Sequence, residues 1–381
     1  MVVDDLDFQA GRSVALDEEG NAVVYWYQFF GGYSARGHSA DGQMKPVFDI
    51  LPYSGSISPK PFEAIALGAG EFALLREIEG DALELHRHAL DGTVQSAFPV
   101  VEAVDPLTDW VATPSVVALT STVYAAGWTA GEGPFWTEAD VFYRLFNLAG
   151  DTSAIAQLNT LTAGEQSYTE LDAHEDGTLV AVWRSDGSVG TDDDGFSVQG
   201  RLFPPVGAPS DQFQVNTTEA GDQHSVDVAF GDDGSFLVVW RGLADPQEDW
   251  THVWSQKFAL DGTPIGPEVR LSSGLTGPQI APRVVEYEDG HVVVWSRYAQ
   301  KVLGRVVGPD GLPVGDVFRI DNVLPQPGSP AAASLPSGDL VVSWPRYANT
   351  GGPVSARRFK SLLFADGFES GGLTAWSTSV P

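Results

Sequence analysis

The fold is decided by a stretch that reads Asp-Gly-Thr-Leu-Val-Ala-Val-Trp from Asp176 to Trp183. The Asp-Gly pair favours a tight turn, because glycine accepts a positive φ without a steric penalty. The apolar run that follows has the length of one buried strand and ends at a tryptophan. The same pattern recurs along the chain, so this stretch is one copy of an internal repeat.

Seven copies of the apolar run are present, and they end 49 to 57 residues apart. The closing residues are Trp26, Arg76, Trp128, Trp183, Trp240, Trp295 and Trp344. A short alternating segment precedes each run, and strand-like segments follow it, so each unit of about 50 residues holds four strands. No comparable stretch has a helical period.

Four antiparallel strands repeated at this spacing predict an all-β fold, a seven-bladed β-propeller of four-stranded blades over residues 1–360. One blade cannot bury both of its faces, so the blades must stack into a ring. The seventh copy lacks a clear fourth strand. We therefore expect the N-terminal strand Asp4–Gln9 to close the ring, with Leu362–Phe364 as the competing candidate. We interpret residues 361–381 as a tail or the truncated start of a further module.

The composition excludes several classes of protein. The chain has 21 basic and 51 acidic residues and a net charge of −30, which disfavours binding to nucleic acid and to anionic membranes. It has no cysteine, so thiolate zinc sites and cysteine nucleophiles are excluded. No apolar segment is long enough to insert in a membrane. The first residues lack a signal peptide, so a secreted protein would have its signal outside this sequence.

The repeat resembles one that is common in large secreted bacterial proteins. The resemblance rests on Asp176–Trp183, on the Gln-Gly-Arg-Leu-Phe strand within Phe196–Phe203, and on the Val-Asn-Thr strand within Phe213–Thr218. Such repeats are often found beside adhesin or calcium-binding modules. The resemblance implies a propeller-type fold and a secreted or cell-surface location, but it implies no reaction.

Two tryptophans outside the repeat pattern are candidates for ligand binding. Trp136 and Trp250 lie in predicted loops between the second and third strands of their blades. Loops at one end of a scaffold carry function more often than its strands, and exposed indole rings stack on sugars or peptides. The regular tryptophans are instead expected in the core. The repeated arginines are expected to form a structural ladder.

A run of carboxylates is the candidate metal site. Asp192, Asp193 and Asp194 precede Gly195 in the predicted loop of the fourth copy. Carboxylate oxygens on a loop suit Ca²⁺, although the alternating ligands of an EF-hand are absent. The alternative is a solvated turn. Calcium is the one cofactor that the sequence suggests.

No linear catalytic motif of the hydrolases, nucleotide-binding proteins or zinc proteases is present. We therefore expect an extracellular binding or structural propeller and not an enzyme: a cell-surface or filament-forming, adhesin-like component. Its partners would be a protein or glycan on a surface, or further copies joined through terminal strands. The alternative is a lectin or a carbohydrate-active enzyme that acts on a polysaccharide, because 51 acidic residues bring some carboxylates together by chance.

Overall fold

The structure is a computed structural model that describes residues 9–28, 32–51, 62–78, 82–102, 110–131, 138–245, 247–298, 300–321, 328–335, 338–345 and 354–360. These residues contain β-strands and no α-helix. The strands are β1 Gln9–Leu16, β2 Ala22–Gln28, β3 Gly32–His38, β4 Met44–Leu51, β5 Phe62–Gly68, β6 Glu71–Ile78, β7 Ala82–Ala89, β8 Val94–Val101, β9 Trp110–Ala118, β10 Tyr124–Gly131, β11 Ala139–Phe146, β12 Ala156–Gln157, β13 Gln166–Ala173, β14 Leu179–Asp186, β15 Phe196–Phe203, β16 Phe213–Gln214, β17 His224–Phe230, β18 Phe236–Gly242, β19 His252–Phe258, β20 Pro264–Arg270, β21 Gln279–Tyr287, β22 Gly290–Arg297, β23 Lys301–Val307, β24 Pro313–Arg319, β25 Ala331–Ser334, β26 Leu340–Pro345 and β27 Val354–Phe359.

The strands form seven antiparallel sheets, each built from consecutive strands. Six sheets have four strands in chain order, from β1–β4 to β21–β24, and β25–β27 form the seventh within the described residues. The first strand of each sheet contacts the first strand of the next, and β25 contacts β1. The sheets therefore surround a central axis with their first strands innermost. This is the predicted seven-bladed β-propeller, and the sheets are its blades one to seven.

The second strand of each blade forms the core between neighbouring blades. The six closing tryptophans are at most 5% exposed, which confirms their predicted place in the core. Between the last blade and the first, Val341 and Val354 pack against Val14, Val24 and Trp26. The ring is thus closed by face-to-face packing of the same kind that joins the other blades.

The turns between first and second strands follow the Asp-Gly pattern. In blade four, Gly177 has a φ of 87°, a conformation that disfavours other residues. The Asp176 carboxylate accepts a hydrogen bond of 2.8 Å from the backbone N–H of Thr178. The Asp-Gly pair thus supplies both the backbone freedom and the side-chain acceptor that this turn needs.

The repeated arginines of the third strands connect neighbouring blades. In four blades the guanidinium donates to a backbone carbonyl at the end of the preceding blade's outer strand, at 2.7 to 3.1 Å. The pairs are Arg144–Val100, Arg201–Leu158, Arg305–Leu271 and Arg357–Ile320. The predicted structural ladder is confirmed at these four positions.

The predicted closing strand lies almost wholly outside the described residues. Gln9 is described, but it belongs to β1 of blade one, opposite Gln28, because the pairing of β1 continues beyond a bulge. Residues 4–8, Leu362–Phe364 and the whole segment 361–381 lie outside the described part of the chain. Ring closure by a terminal strand, self-association through it and the tail stay predictions.

One register position recurs on all seven inner strands, opposite the residue that precedes the closing Trp or Arg76. We call it the inner-ring position. Its occupants are Ser13, Glu63, Ser115, Glu170, Asp227, Arg283 and Ala331.

At four inner-ring positions the side chain accepts a hydrogen bond from a backbone N–H of the next blade. The pairs are Ser13–Ala64, Glu63–Val116, Ser115–Leu171 and Asp227–Val284, at 2.7 to 3.1 Å. An inner strand has a neighbouring strand on one side only, so the N–H groups of its other edge need such acceptors. Serine and the acidic residues share this structural role around the axis.

We predict that Ser115→Ala lowers the free energy of unfolding by about 1–3 kcal/mol, because it leaves the buried N–H of Leu171 without its acceptor. Urea unfolding followed by tryptophan fluorescence measures the change. Val206→Ala is the control, since this side chain is 88% exposed and its loss should cost little. Equal stability of Ser115→Ala and the wild type would contradict the structural role.

Candidate functional site

One end of the ring collects the longest loops between strands. The first strand of each blade begins at this end and the second strand ends there, so we call it the upper face. The segments 187–195 and 243–251 connect second and third strands at the upper face. Loops gathered at one end of a rigid scaffold are the usual place for binding and catalytic groups.

The inner strands of blades three to six bulge just above the inner-ring position. Two residues before that position the backbone is left-handed, at Thr113, Tyr168, Ser225 and Ala281. Tyr168 is the one large side chain of these four, and it is 44% exposed. A left-handed backbone is costly for a bulky residue, and bulges often re-aim a side chain next to an active site. Tyr168 is therefore the first candidate functional residue.

Arg184 fixes the surroundings of Tyr168. It follows the buried Trp183 on β14, and its guanidinium carbon lies 4.7 Å from the ring centre of Tyr168 and 4.0 Å from that of Phe196. Its Nε donates to the hydroxyl of Ser167 at 3.2 Å, and an Nη donates to the Glu165 carboxylate. The cation is thus held between two aromatic rings and positioned by side chains of its own blade.

His224 and Arg241 approach Arg184 from blade five. They lie directly opposite each other on β17 and β18, so their side chains share one face of the sheet. Arg184 donates from Nη1 to Nδ1 of His224 at 3.1 Å. Because a guanidinium only donates, Nδ1 is the acceptor and the imidazole proton lies on Nε2. We call Tyr168, Arg184, His224 and Arg241 the basic cluster.

The charges of the basic cluster keep His224 neutral. Burial, together with the positive charges of Arg184 and Arg241, lowers the pKa of His224 to about 4. Its Nε2 lies 3.5 Å from a carboxylate oxygen of Asp222. At neutral pH the imidazole is therefore neutral, and its N–H faces the Asp222 carboxylate.

A second group of ionisable side chains lies deeper, on the axis. Arg283 is 2.9 Å from a carboxylate oxygen of Glu170 and 3.8 Å from one of Asp227, and Glu63 completes the group. Burial raises the pKa of all three acids, that of Glu63 to about 7. From the inner-ring position, Glu63 and Asp227 accept hydrogen bonds from backbone N–H groups of the next blade, as Ser13 and Ser115 do. This group is therefore explained first by the assembly of the ring.

Of the two predicted binding tryptophans, Trp136 lies outside the described residues. Trp250 is 37% exposed in the loop 243–251 on the upper face, where the sequence predicted it. The neighbouring Thr251 and Gln279 exchange two hydrogen bonds, and Tyr298, 48% exposed, donates its backbone N–H to the Pro278 carbonyl. Trp250 and Tyr298 thus flank the same short segment, Pro278–Gln279, at the start of the inner strand of blade six.

The three predicted calcium ligands differ in exposure and in their hydrogen-bond partners. Asp192 is 2% exposed and accepts a hydrogen bond of 2.7 Å from the side-chain amide of Asn216. Asp194 accepts one of 2.9 Å from the backbone N–H of Gly221, whereas Asp193 is exposed. Within the described part of the chain, no group of three or more His, Asp or Glu residues is arranged to hold a metal ion. Calcium binding at this loop stays a prediction.

The basic cluster is the feature that the sequence analysis missed, although one signal was available. Arginine directly follows the closing tryptophan in two consecutive copies, at Arg184 and Arg241. The other copies have Tyr27, Glu77, Thr129, Ser296 and Pro345 at this place. Tyr168 and His224 had no such signal, because the bulge that exposes Tyr168 and the packing of two blades that brings His224 to Arg184 are properties of the tertiary structure.

No protein-family model matches the chain, and no curated protein matches it. Solved structures do match. A polysaccharide lyase, an ulvan lyase of family PL25 bound to a saccharide of GlcA and Rha3S, aligns with a TM-score of 0.62 at 9% identity over 94% of each chain. The GH93 α-L-arabinofuranosidase of Fusarium graminearum, in complex with arabinobiose, aligns at 0.53 and 12% identity over 78% of this chain and 92% of its own. A Hadza microbial sialidase aligns at 0.53 and 12% identity over 90% of this chain and 77% of its own.

These matches contradict the prediction of a non-enzymatic, adhesin-like component, because the chains that share the architecture include glycosidases and polysaccharide lyases. The prediction was wrong for a physical reason. It relied on the absence of a linear catalytic motif, whereas a propeller assembles its upper face from residues that lie far apart in different blades. At these identities the similarity shows the fold alone.

Among the described residues, no helix is long and apolar enough to cross a membrane.

We predict that Asp172 makes a contribution to the free energy of unfolding that falls as the pH rises from about 5 to about 8. Burial raises the pKa of Asp172 on β13 to about 7, although its carboxylate accepts a 2.6 Å hydrogen bond from Phe230. The folded state therefore binds this proton more tightly than the unfolded chain, and raising the pH costs stability. Asp172→Asn keeps an acceptor for Phe230 and should reduce the fall, as urea unfolding at the two pH values would show.

Asp193→Asn is the control for this prediction, since Asp193 is exposed and the substitution removes the same charge. An unchanged pH dependence in Asp172→Asn would contradict the assignment.

Proposed function

We propose that the protein is an enzyme that cleaves a polysaccharide at the upper face, over blades four and five. The observation that carries this proposal is the position of Tyr168. Its ring is exposed on a left-handed bulge and stacked on Arg184, which also donates to the neutral His224. The architecture supports the proposal, because the solved structures that share it include enzymes that act on glycans.

The basic cluster has the groups that cleavage of a glycosidic bond requires. A hydroxyl group transfers a proton at the reacting sugar, and this is the role we give to Tyr168. A fixed positive charge stabilises negative charge as it develops, and the guanidinium of Arg184 beside the Tyr168 ring is such a charge. Arg184 is held by Ser167 and Glu165, so little reorganisation is needed during the reaction.

Trp250 and Tyr298 extend the proposed site towards blade six. Aromatic rings exposed on a surface stack on the apolar faces of sugar rings. Because both flank the segment Pro278–Gln279, they form a shelf beside the basic cluster. We propose that this shelf holds the part of the polymer that does not react.

The proposed substrate suits the location that the repeat resemblance implies. Polysaccharides too large to enter a cell are met outside it, and a secreted or surface-attached enzyme reaches them there. The net charge of −30 favours solubility in that setting.

The axial carboxylates are the second candidate for the catalytic groups. Burial raises the pKa of Glu63 to about 7, and a carboxyl group that stays protonated near neutral pH is the usual general acid of glycosidases. This alternative requires the reacting sugar to enter the central channel. If Glu63→Gln abolishes turnover and Tyr168→Phe does not, the axial group is the catalytic one.

We predict that Tyr168→Phe lowers kcat by about 100-fold or more on any polysaccharide that the wild type cleaves, because the variant keeps the ring and loses the proton-transfer group. A panel of neutral and acidic polysaccharides, assayed for new reducing ends and for unsaturated products, identifies the substrate. Tyr143→Phe removes a hydroxyl from the packed third strand of blade three and is the matched control. Full activity of Tyr168→Phe, or cleavage of no polysaccharide in the panel, would contradict the proposal.

We predict that Trp250→Ala raises KM for long substrates about tenfold and leaves kcat nearly unchanged, because stacking at the shelf binds substrate and transition state equally. Short oligosaccharides that do not reach the shelf should show the wild-type KM. Steady-state kinetics on a series of chain lengths tests this. A loss of kcat at every length would instead place Trp250 at the reacting bond.

A further inference from the structure

Arg241 is a guanidinium whose donors are not used by the described part of the chain. It makes no hydrogen bond or ion pair there, and its Nε is buried without a partner. Arg184, at the same place in the neighbouring blade, is engaged by Ser167, Glu165 and His224. The two arginines thus differ: the N–H groups of Arg184 are taken by its protein partners, whereas those of Arg241 are available to a ligand.

His224, the cross-strand neighbour of Arg241, has partners for both of its ring nitrogens. It lies directly opposite Arg241 on the paired strands, and its Nδ1 accepts from Arg184. Its Nε2–H faces a carboxylate oxygen of Asp222 at 3.5 Å. The guanidinium fork of Arg241 is therefore the donor of this pair that is available to a ligand, and it matches two oxygens of a carboxylate or a sulfate group.

The charges around Arg241 compensate its positive charge only in part. Burial and the positive charge of Arg184 both lower the pKa of Arg241, while Tyr168 and Asp222 act in the opposite direction. Glu165 is paired with Arg184, and Asp222 accepts a hydrogen bond from the backbone of Phe196 at 3.1 Å. Asp222 is about half exposed, so its charge is well screened. A bound anion would lower the cost of keeping Arg241 partly buried.

We propose that Arg241 binds an anionic group of the sugar at the reacting position, and that the substrate is an acidic polysaccharide. The shared chemistry is a carboxylate or a sulfate ester on the sugar ring, since both present oxygens to a guanidinium fork. This inference rests on the proposed function and narrows its substrate class. It singles out acidic polymers from the neutral ones that the fold also accommodates in other proteins.

Because the chain has a large net negative charge, few of its groups can bind an anionic polysaccharide. A chain with a net charge of −30 repels a polyanion, so binding must come from a few local cations. Arg241 is the cation of the basic cluster whose donors are free of partners in the described residues. Its removal should therefore affect acidic ligands and leave neutral ones unaffected.

The test measures calorimetric binding of two pairs of polysaccharides to the full chain carrying Tyr168→Phe, which prevents turnover. One pair is a polyuronate and the same polymer after reduction of its carboxyl groups. The other is a neutral-backbone sulfated galactan and its desulfated form. We expect one anionic polymer to bind and its neutralised form to bind at least tenfold more weakly, and the pair that responds identifies the anionic group.

The variants Arg241→Gln and Arg241→Lys test whether Arg241 is the residue that binds the anionic group. Arg241→Gln should weaken binding of the anionic polymer about 10- to 100-fold, and Arg241→Lys should give an intermediate loss, because it keeps the charge without the fork. Lys45→Gln removes the same charge from the start of β4, at the opposite end of the ring, and should bind as the parent does. Melting temperatures of all variants check that they are folded.

Equal binding of an anionic polymer and its neutralised form would overturn this inference, as would unchanged binding by folded Arg241→Gln or no binding of either anionic polymer. The proposed function fails separately. If the protein cleaves a neutral polysaccharide and the cleavage depends on Tyr168, the proposed function holds and the proposed acidic substrate is wrong. If the protein binds a polyuronate through Arg241 and cleaves no polysaccharide, the anion site holds and the proposed function is wrong.

Discussion

Every blade of this ring must bury both faces of its second strand, and the rest of the structure depends on that constraint. A sheet of four short strands cannot do so alone, so each blade uses its neighbours on either side. The closing tryptophans, such as Trp183 and Trp240, are the largest side chains in these interfaces. Because the last blade packs on the first in the same way, no blade has an exposed core face.

The polar connections of the ring follow the same repeat, at two distances from the axis. The third-strand arginines reach the preceding blade's outer strand, and the inner-ring side chains reach the next blade's inner strand. Both are repeated, and both satisfy backbone groups that the sheets leave without partners. This regularity separates structural from functional residues: a polar side chain that has the same partner in several blades is explained by assembly.

The basic cluster is where the regularity is broken. Tyr168 occupies a bulge position that elsewhere holds small residues, and Arg184 and Arg241 stand where other blades have residues such as Thr129 and Ser296. Thr129 and Ser296 bond backbone groups of the next blade, whereas Arg184 bonds a side chain of the next blade and Arg241 bonds no described residue. Departures of this kind carry no benefit for the ring. They gather cations, a neutral imidazole and a phenol at the upper face of an acidic protein, which is the basis of the function we propose.

The repeat in the sequence was sufficient to predict the fold, because spacing, turn chemistry and strand alternation are local properties of the chain. It also separated the core tryptophans from Trp250, since a residue outside the repeat register cannot share the repeat's packing. The prediction of function was wrong, and the basic cluster was not found, for one reason. Arg184 and His224 meet only through the contact of blades four and five, and their separation in sequence carries no sign of it. The tautomer of His224, the unused donors of Arg241 and the separate partners of Asp192 and Asp194 likewise follow from packing between blades and loops, which the tertiary structure alone decides.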